Sequence, residues 1–279
     1  MTIDPGRYGI WRRANGLGPE LAQEVERLGF GAIWIGGSPP ADLAVAESLL
    51  AATDHLVVAT GIVNMWSTPA DDVAPSYHRL AERFPDRFLL GVGVGHPEHT
   101  GEYTKPYATV VEYLDRLDAL DVPVAGRALA ALGPKVLALA AERTAGAHPY
   151  LTTPEHTRRA RATLGPDALL APEHKVVLDD DADRARALGR PAVQTPYLGL
   201  RNYVTNLKRL GWTDADIENG GSDALVDALV AHGSPEVVAA RLTEHLDAGA
   251  DHVCAQVLTP DGADVVPDLR RLAGALRLG

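Results

Sequence analysis

The sequence predicts a (β/α)8 TIM barrel with a helical insertion before its eighth strand. Three observations carry that expectation. Short apolar runs alternate with amphipathic segments along the whole chain, the pattern of parallel strands joined by helices. Several of the helical segments open on proline, as at Pro19, Pro154 and Pro235, a residue suited to a first turn whose N–H groups have no partner anyway. The 279 residues, 46% of them apolar, suffice for one barrel, and no linker or low-complexity run marks a second domain. The expected organisation is a single domain over 1–279 with the insertion at about 183–233. An open doubly wound sheet is the competing architecture.

Taken in order, Tyr8 to Trp11 reads as the first strand, and Pro19 to Leu28 as a helix stopped by Gly29. Ala32 to Ile35 is the second strand, ending in Gly36-Gly37-Ser38, and Asp42 to Ala52 the second helix. Leu56 to Val63 is the third strand, ended by Asn64, with Pro69 to Phe84 as its helix. The fourth strand, from Phe88 to Val94, stops at Gly95. Side chains alternate across a strand, so Gly91, Gly93 and Gly95 share one bare face, against which either a neighbouring element or a flat ligand must pack. Thr109 to Leu120 is a helix, and Arg127 to Leu132 the fifth strand. Gly133-Pro134-Lys135 opens the next helix, to Thr144. Ala147 to Leu151 is strand six, Pro154 to Leu164 its helix, and Leu169 to Leu178 holds strand seven, interrupted at Pro172. Residues 183–233 are mostly helical. Ser234-Pro235 caps a helix to Ala248, His252 to Leu258 is strand eight, and Val265 to Leu276 closes the chain.

Composition excludes several classes. A net charge of −11 and no concentrated basic patch argue against a nucleic-acid partner; Arg158, Arg159 and Arg161 read as a solvated helix face. Cys254 is the single cysteine, so neither a disulfide framework nor a cysteine metal site is expected, and it reads as a small buried hydrophobe. With no leader-like start and no apolar run near 18 residues, the expectation is a cytoplasmic protein without a membrane partner. Gly91-Val-Gly-Val-Gly95 is not a dinucleotide fingerprint, because His96-Pro-Glu-His99 does not open a helix. His96 and His99 lack a third ligand, so no metal is expected.

The carboxyl ends of the strands, where barrels carry their chemistry, present Gly37-Ser38, Asn64-Met65-Trp66, His96, Gly133-Pro134, His148-Pro149-Tyr150 and Thr259. There is no carboxylate pair, no Ser-His-Asp set and no HExxH motif. A set rich in backbone and poor in acids suits an organic cofactor that brings its own reactivity. His96, at the end of the glycine-faced strand, is the candidate catalytic proton carrier, since imidazole titrates near neutrality.

Ala32-Ile-Trp-Ile-Gly-Gly-Ser38, Ala59-Thr-Gly-Ile-Val-Asn64, Leu90-Gly-Val-Gly-Val-Gly-His96 and Ala131-Leu-Gly-Pro-Lys135 together resemble the luciferase-like superfamily. More closely, the chain resembles its actinobacterial oxidoreductases that use the deazaflavin F420, over nearly its whole length. The resemblance implies a cis peptide at Gly61-Ile62 backing the deazaflavin ring, with Asn64 at the ring's pyrimidine edge. It implies that Gly37 and Ser38 line the ring and that Val94 and Gly95 pass under it. It places the cofactor phosphate at Gly133, Pro134 and Lys135, bordered by His148 and Tyr150; orphan N–H groups at a helix start attract anions. Members that oxidise sugar phosphates carry histidine at Ser38, glutamate at His96 and a phosphate-binding lysine at Thr153, so an uncharged or weakly charged small-molecule substrate is expected instead. A homodimer is implied as well. FMN-dependent monooxygenation and catalytically silent cofactor binding are the alternative functions.

Overall fold

In a computed structural model of the protein, residues 3–95 and 106–279 are described. Its strands are β1 (Tyr8–Arg13), β2 (Ala32–Gly36), β3 (Val57–Thr60), β4 (Val63–Asn64), β5 (Phe88–Gly93), β6 (Arg127–Leu129), β7 (Gly146–Ala147), β8 (Leu169–Leu170), β9 (Glu173–Val177), β10 (Val230–His232) and β11 (Val253–Val257). All pairings are parallel, in the order β10-β9-β11-β1-β2-β3-β5-β6-β7-β8, with β4 continuing β3 along β5. β8, at one end of this path, and β9, next to its other end, are halves of one segment broken at Ala171-Pro172. On one edge of that segment Ala171 N donates to Ala147 O at 2.9 Å, and on the other Cys254 N donates to Pro172 O at 3.0 Å. The sheet therefore closes on itself. Its staves are β1, β2, β3 with β4, β5, β6, β7, β8 with β9, and β11, the expected (β/α)8 barrel.

The helices that alternate with the staves are α1 (Pro19–Arg27), α2 (Ala44–Ala51), α3 (Ala70–Arg83), α4 (Pro106–Ala119), α5 (Pro134–Arg143) and α6 (Pro154–Leu164). The insertion follows as α7 (Ala182–Gln194), α8 (Arg201–Arg209), α9 (Asp214–Ile217) and α10 (Asp223–Leu229), and the outer ring resumes with α11 (Pro235–Asp247) and α12 (Val266–Leu276). Caps fix the ends: Thr153 Oγ1 accepts from His156 N at the start of α6, and Gly165, at φ 81°, ends it. β10 was not expected. Val-Ala-His follows α10 without a break in apolar character, so three residues read as helix until β9 offers them an edge through the Val230↔Lys175 register.

Strand alternation divides the apolar residues. Ile33, Ile35, Val58, Leu90, Val92 and Leu129 face the helices; Trp11, Ala32, Trp34, Ala59, Leu89, Ala128, Ala171 and Cys254 fill the barrel. The insertion has its own cluster of Val193, Leu200, Leu207, Leu225 and Leu229, joined to the barrel through Val177 and Val230. Cys254 is buried as expected, its Sγ donating to Pro172 O at 3.4 Å, and burial pushes its thiol pKa well up. No described helix is long and apolar enough to cross a membrane.

Candidate functional site

The amino-terminal end of the barrel is sealed by aromatic rings. Trp34 Nε1 donates to His252 Nε2 at 3.1 Å, and His252 Nδ1 donates to Gly6 O at 2.7 Å, which fixes the neutral tautomer. His148 stacks on Trp34 with centroids 4.0 Å apart and planes 12° apart, and its Nδ1 donates to Ala171 O at 2.7 Å. Burial holds both imidazoles down at about 4, so neither carries charge at neutral pH.

One level up, Trp11 Nε1 donates to Gly61 O at 3.3 Å. The indole crosses the barrel above β2 because Gly36 is bare there; any side chain at Gly36 would collide with it. The Gly61-Ile62 peptide is cis, as the resemblance implies, and it interrupts the third stave between β3 and β4. Both residues are half-buried within an otherwise buried stave. A Cβ on Gly61 would stand 2.9 Å from Trp11 Nε1 and 3.1 Å from His148 Nε2, a buried nitrogen with no partner of its own. Only glycine lets this backbone settle onto the aromatic floor.

Neighbouring elements, one of the two fillings expected for the bare face of this strand, lie against it. A side chain at Gly91 would strike the Thr60 carbonyl, and one at Gly95 the Asn64 amide. One at Gly93 would lie 2.9 Å from Ala130 Cβ and 3.2 Å from Ile62 Cγ1. The bare face of β5 admits the kinked third stave and its own neighbours. The glycines therefore shape the kink, and the kink forms the platform. Val94 turns its side chain to the outer apolar layer. Asn64 forms a turn, its Oδ1 accepting from Trp66 N at 2.9 Å, so the amide nitrogen beside Gly95 is the group it has to offer. Gly37 and Ser38 are exposed at the rim of β2, at φ 84° and 53°. His96 lies outside the described residues.

At the start of α5, Gly133 is an extended N-cap without a side-chain cap, Pro134 has no N–H, and the Lys135 N–H has no acceptor within the helix. Arg209 Nη1, from α8, reaches to 3.3 Å from where a Cβ on Gly133 would be. This corner thus combines a helix N-terminus with a guanidinium, which local sequence could not show because Arg209 belongs to the insertion. His148 and Tyr150 do not border it as expected; both turn into the barrel, because alternation along their segment gives them the inward positions. Thr153, the position compared with a phosphate-binding lysine, caps α6.

The mouth of the barrel holds a second set that sequence reading missed. Glu173 and Lys175 form an ion pair at 3.1 Å with both side chains fully buried. Lys175 Nζ lies 3.9 Å from the Tyr150 ring centroid, and Glu173 Oε2 accepts from Leu151 N at 3.0 Å. Tyr150 packs on Trp11 with centroids 5.2 Å apart and donates to Gln256 Oε1 at 2.8 Å. Burial lowers the Lys175 pKa against the opposing pull of Glu173. The available signal was charge at positions 173 and 175, one face of a strand that otherwise reads as buried. Among the described residues no group of three or more His, Cys, Asp or Glu side chains could hold a metal.

Set beside known proteins, residues 18–122 match the family model described as luciferase-like monooxygenase. No curated protein matches the chain. Among solved structures, an F420-dependent secondary alcohol dehydrogenase in complex with an F420-acetone adduct superposes with a TM-score of 0.73 at 16% identity, covering 98% of this chain and 99% of that one. The coenzyme F420 dependent tetrahydromethanopterin reductase from Methanopyrus kandleri gives 0.72 at 16% identity, with 98% of each chain covered. The oxygenating constituent of 3,6-diketocamphane monooxygenase from Pseudomonas putida, in complex with FMN, gives 0.64 at 15% identity, covering 98% and 96%. The protein is a (β/α)8 barrel with the fold of these structures, and its residues 18–122 are similar to the luciferase-like monooxygenase model. That fold is shared by F420-dependent enzymes and by FMN-bound monooxygenases.

Proposed function

We propose that the chain is an F420-dependent oxidoreductase acting on a small organic substrate at the mouth of the barrel. The observation that carries this reading is the half-buried backbone of Gly61 and Ile62 at the interior of the barrel, a bare platform that rests on Trp11 and His148. The residues present fit a deazaflavin. The kink would back its ring, the Asn64 amide nitrogen would meet its edge, and Gly37 and Ser38 would line it from β2. Lys135 N–H and Arg209 would hold its phosphate. When bound, F420 supplies a hydride donor or acceptor at C5 of the ring. The protein's own share is to fix the Gly61 carbonyl through Trp11, to exclude water, and to carry one proton on His96. A homodimer accompanies this reading by resemblance.

The second reading, an FMN-dependent monooxygenase, is supported by the family match and the FMN-bound relative. F420 is preferred on the resemblance of the strand-end motifs, Ala32 to Ser38, Ala59 to Asn64, Leu90 to His96 and Ala131 to Lys135; the fold itself is common to both cofactor classes. Titrating purified protein with each cofactor, followed by fluorescence, should give clearly tighter binding of F420, without oxygen consumption by the reduced complex. Tighter FMN binding with oxygen uptake would overturn the assignment. Binding of F420 without turnover across alcohols, aldehydes and enones would leave a silent cofactor-binding protein.

A further inference from the structure

We propose that Arg13 forms an oxyanion-binding fork at the mouth of the barrel, selecting planar organic substrates that carry a carboxylate or phosphate ester. This deepens the reading above, rests on it for the site of reaction, and departs from the sequence expectation of an uncharged or weakly charged substrate, while the fork itself can be tested without cofactor.

Arg13 is the last residue of β1, at the end of the barrel where ligands meet side chains. Its inward direction follows from alternation: a Cβ on Gly9 would stand 2.7 Å from His252 Cε1 inside the barrel, and Trp11 reaches Gly61 and Tyr150. Arg13 pairs in register with Gly36, and its Cγ lies 3.9 Å from where a Cβ on Gly37 would be, beside the rim expected to line the ring. The side chain is exposed, and among the described residues it makes no ion pair or side-chain hydrogen bond. Its neighbour Arg12, by contrast, is tied to Gly16 O at 2.9 Å.

The surroundings favour an anion. Lys175, fully buried behind the aromatic rings, lies 3.9 Å from the Tyr150 centroid and 5.5 Å from that of Tyr197, and the charge of Arg13 is felt at both Lys175 and the Tyr197 phenol. The adjacent carboxylate, Glu173, is engaged on both oxygens, by Lys175 and by Leu151 N. It leaves the Arg13 charge uncompensated, within a chain of net charge −11. Trp11, Tyr150 and Tyr197 pack in a row of tilted rings, with centroids 5.2 and 5.3 Å apart, and offer apolar walls for the body of such a ligand. A guanidinium presents paired N–H donors in the spacing of a carboxylate or phosphate edge, so the head group and the ring have separate partners.

The test uses benzoate, phenyl phosphate and benzamide as probes, with binding read by tryptophan fluorescence in the apoprotein and by cofactor absorbance in the F420-loaded protein. At least one of the two anions should bind about 10-fold or more tightly than benzamide, and the tighter one identifies the head group. Arg13→Gln should abolish that preference while leaving benzamide binding and F420 affinity unchanged, and Arg13→Lys should restore part of it. Equal or undetectable binding of all three probes would overturn the proposal, as would an anion preference that survives Arg13→Gln. Weakened F420 binding in Arg13→Gln would also overturn it, by assigning Arg13 to the cofactor. Failure of the F420 reading is seen separately, as a wild-type protein that does not bind F420 while the apoprotein still discriminates the probes.

Discussion

Glu173, His174 and Lys175 are consecutive, equally buried residues of β9 that face two different interiors. Inside the barrel, charge is kept: the ammonium and carboxylate meet at 3.1 Å, and an aromatic face and a backbone N–H complete their surroundings. Outside it, between the sheet, α6 and α11, charge is refused. His174 Nδ1 lies 3.0 Å from His245 Nε2, and His245 Nδ1 lies 2.7 Å from Thr157 Oγ1. Burial pushes His174 down to about 3 and His245 well below its ordinary value, with the Arg241 charge acting in the same direction on both. The difference is one of supply. A buried charge persists where an opposite charge and hydrogen bonds are built in beside it, and a buried base stays neutral where only other bases and a hydroxyl are offered.

Acid should reveal the neutral side most strongly. His148, His174 and His252 sit at about 4, 3 and 4 when folded, against an ordinary 6.5. The unfolded chain therefore takes up protons first, and stability present above pH 6.5 is lost as pH falls toward 4. Each of the three should cost about 2 kcal/mol by pH 5, a sum comparable to the stability of a whole domain. Urea midpoints at pH 7 and pH 5 measure this, and equal midpoints would contradict it. The charged side is tested by Lys175→Met, which leaves a buried carboxylate unpaired and should destabilise by about 3–5 kcal/mol at pH 7. Glu173→Gln added to it should recover much of the loss. A double variant as unstable as the single would mean that packing, not charge, set the effect.

Within the described barrel Lys175 is bound to Glu173 and His148 is held neutral, so the proton role proposed for His96 from the sequence is tested on its own by His96→Ala. In the F420-loaded enzyme kcat should fall by roughly 10²-fold with cofactor affinity kept. Turnover preserved at saturating cofactor, with affinity down by about 1–3 kcal/mol, would instead make His96 a binding group. Smaller effects are expected from glycine. Gly95→Ala, at φ 57° and against the Asn64 amide, should cost about 1–3 kcal/mol in thermal unfolding. Gly165→Ala, at φ 81° and ψ −178° with open space around it, should cost about 1–3 kcal/mol from backbone strain alone.

The rhythm of the barrel was legible because each stave and helix carries its period locally. Pro154 to Leu164 matches α6 at both ends, since proline, a threonine cap and a glycine stop lie in the same short stretch. The kink at Gly61-Ile62 was legible through resemblance alone. The ion pair, Arg13 and Arg209 were not, because their meaning depends on partners far along the chain. A lysine in a short strand looks solvated until β1, β11 and the insertion surround it. The glycines of β5 were noticed for the right property, with a neighbouring element and a ligand both left open: bareness is visible in sequence, but which of the two fills the space is decided by strand three.

The floor of Trp34, His148 and His252 has one consequence for traffic. A barrel stoppered at its base is a cup with a single door, so whatever enters the interior must leave by the way it came. If cofactor and substrate share that door, the later arrival covers the earlier one. Departure then runs in reverse order, and the molecule resting deepest is the one the protein exchanges least often.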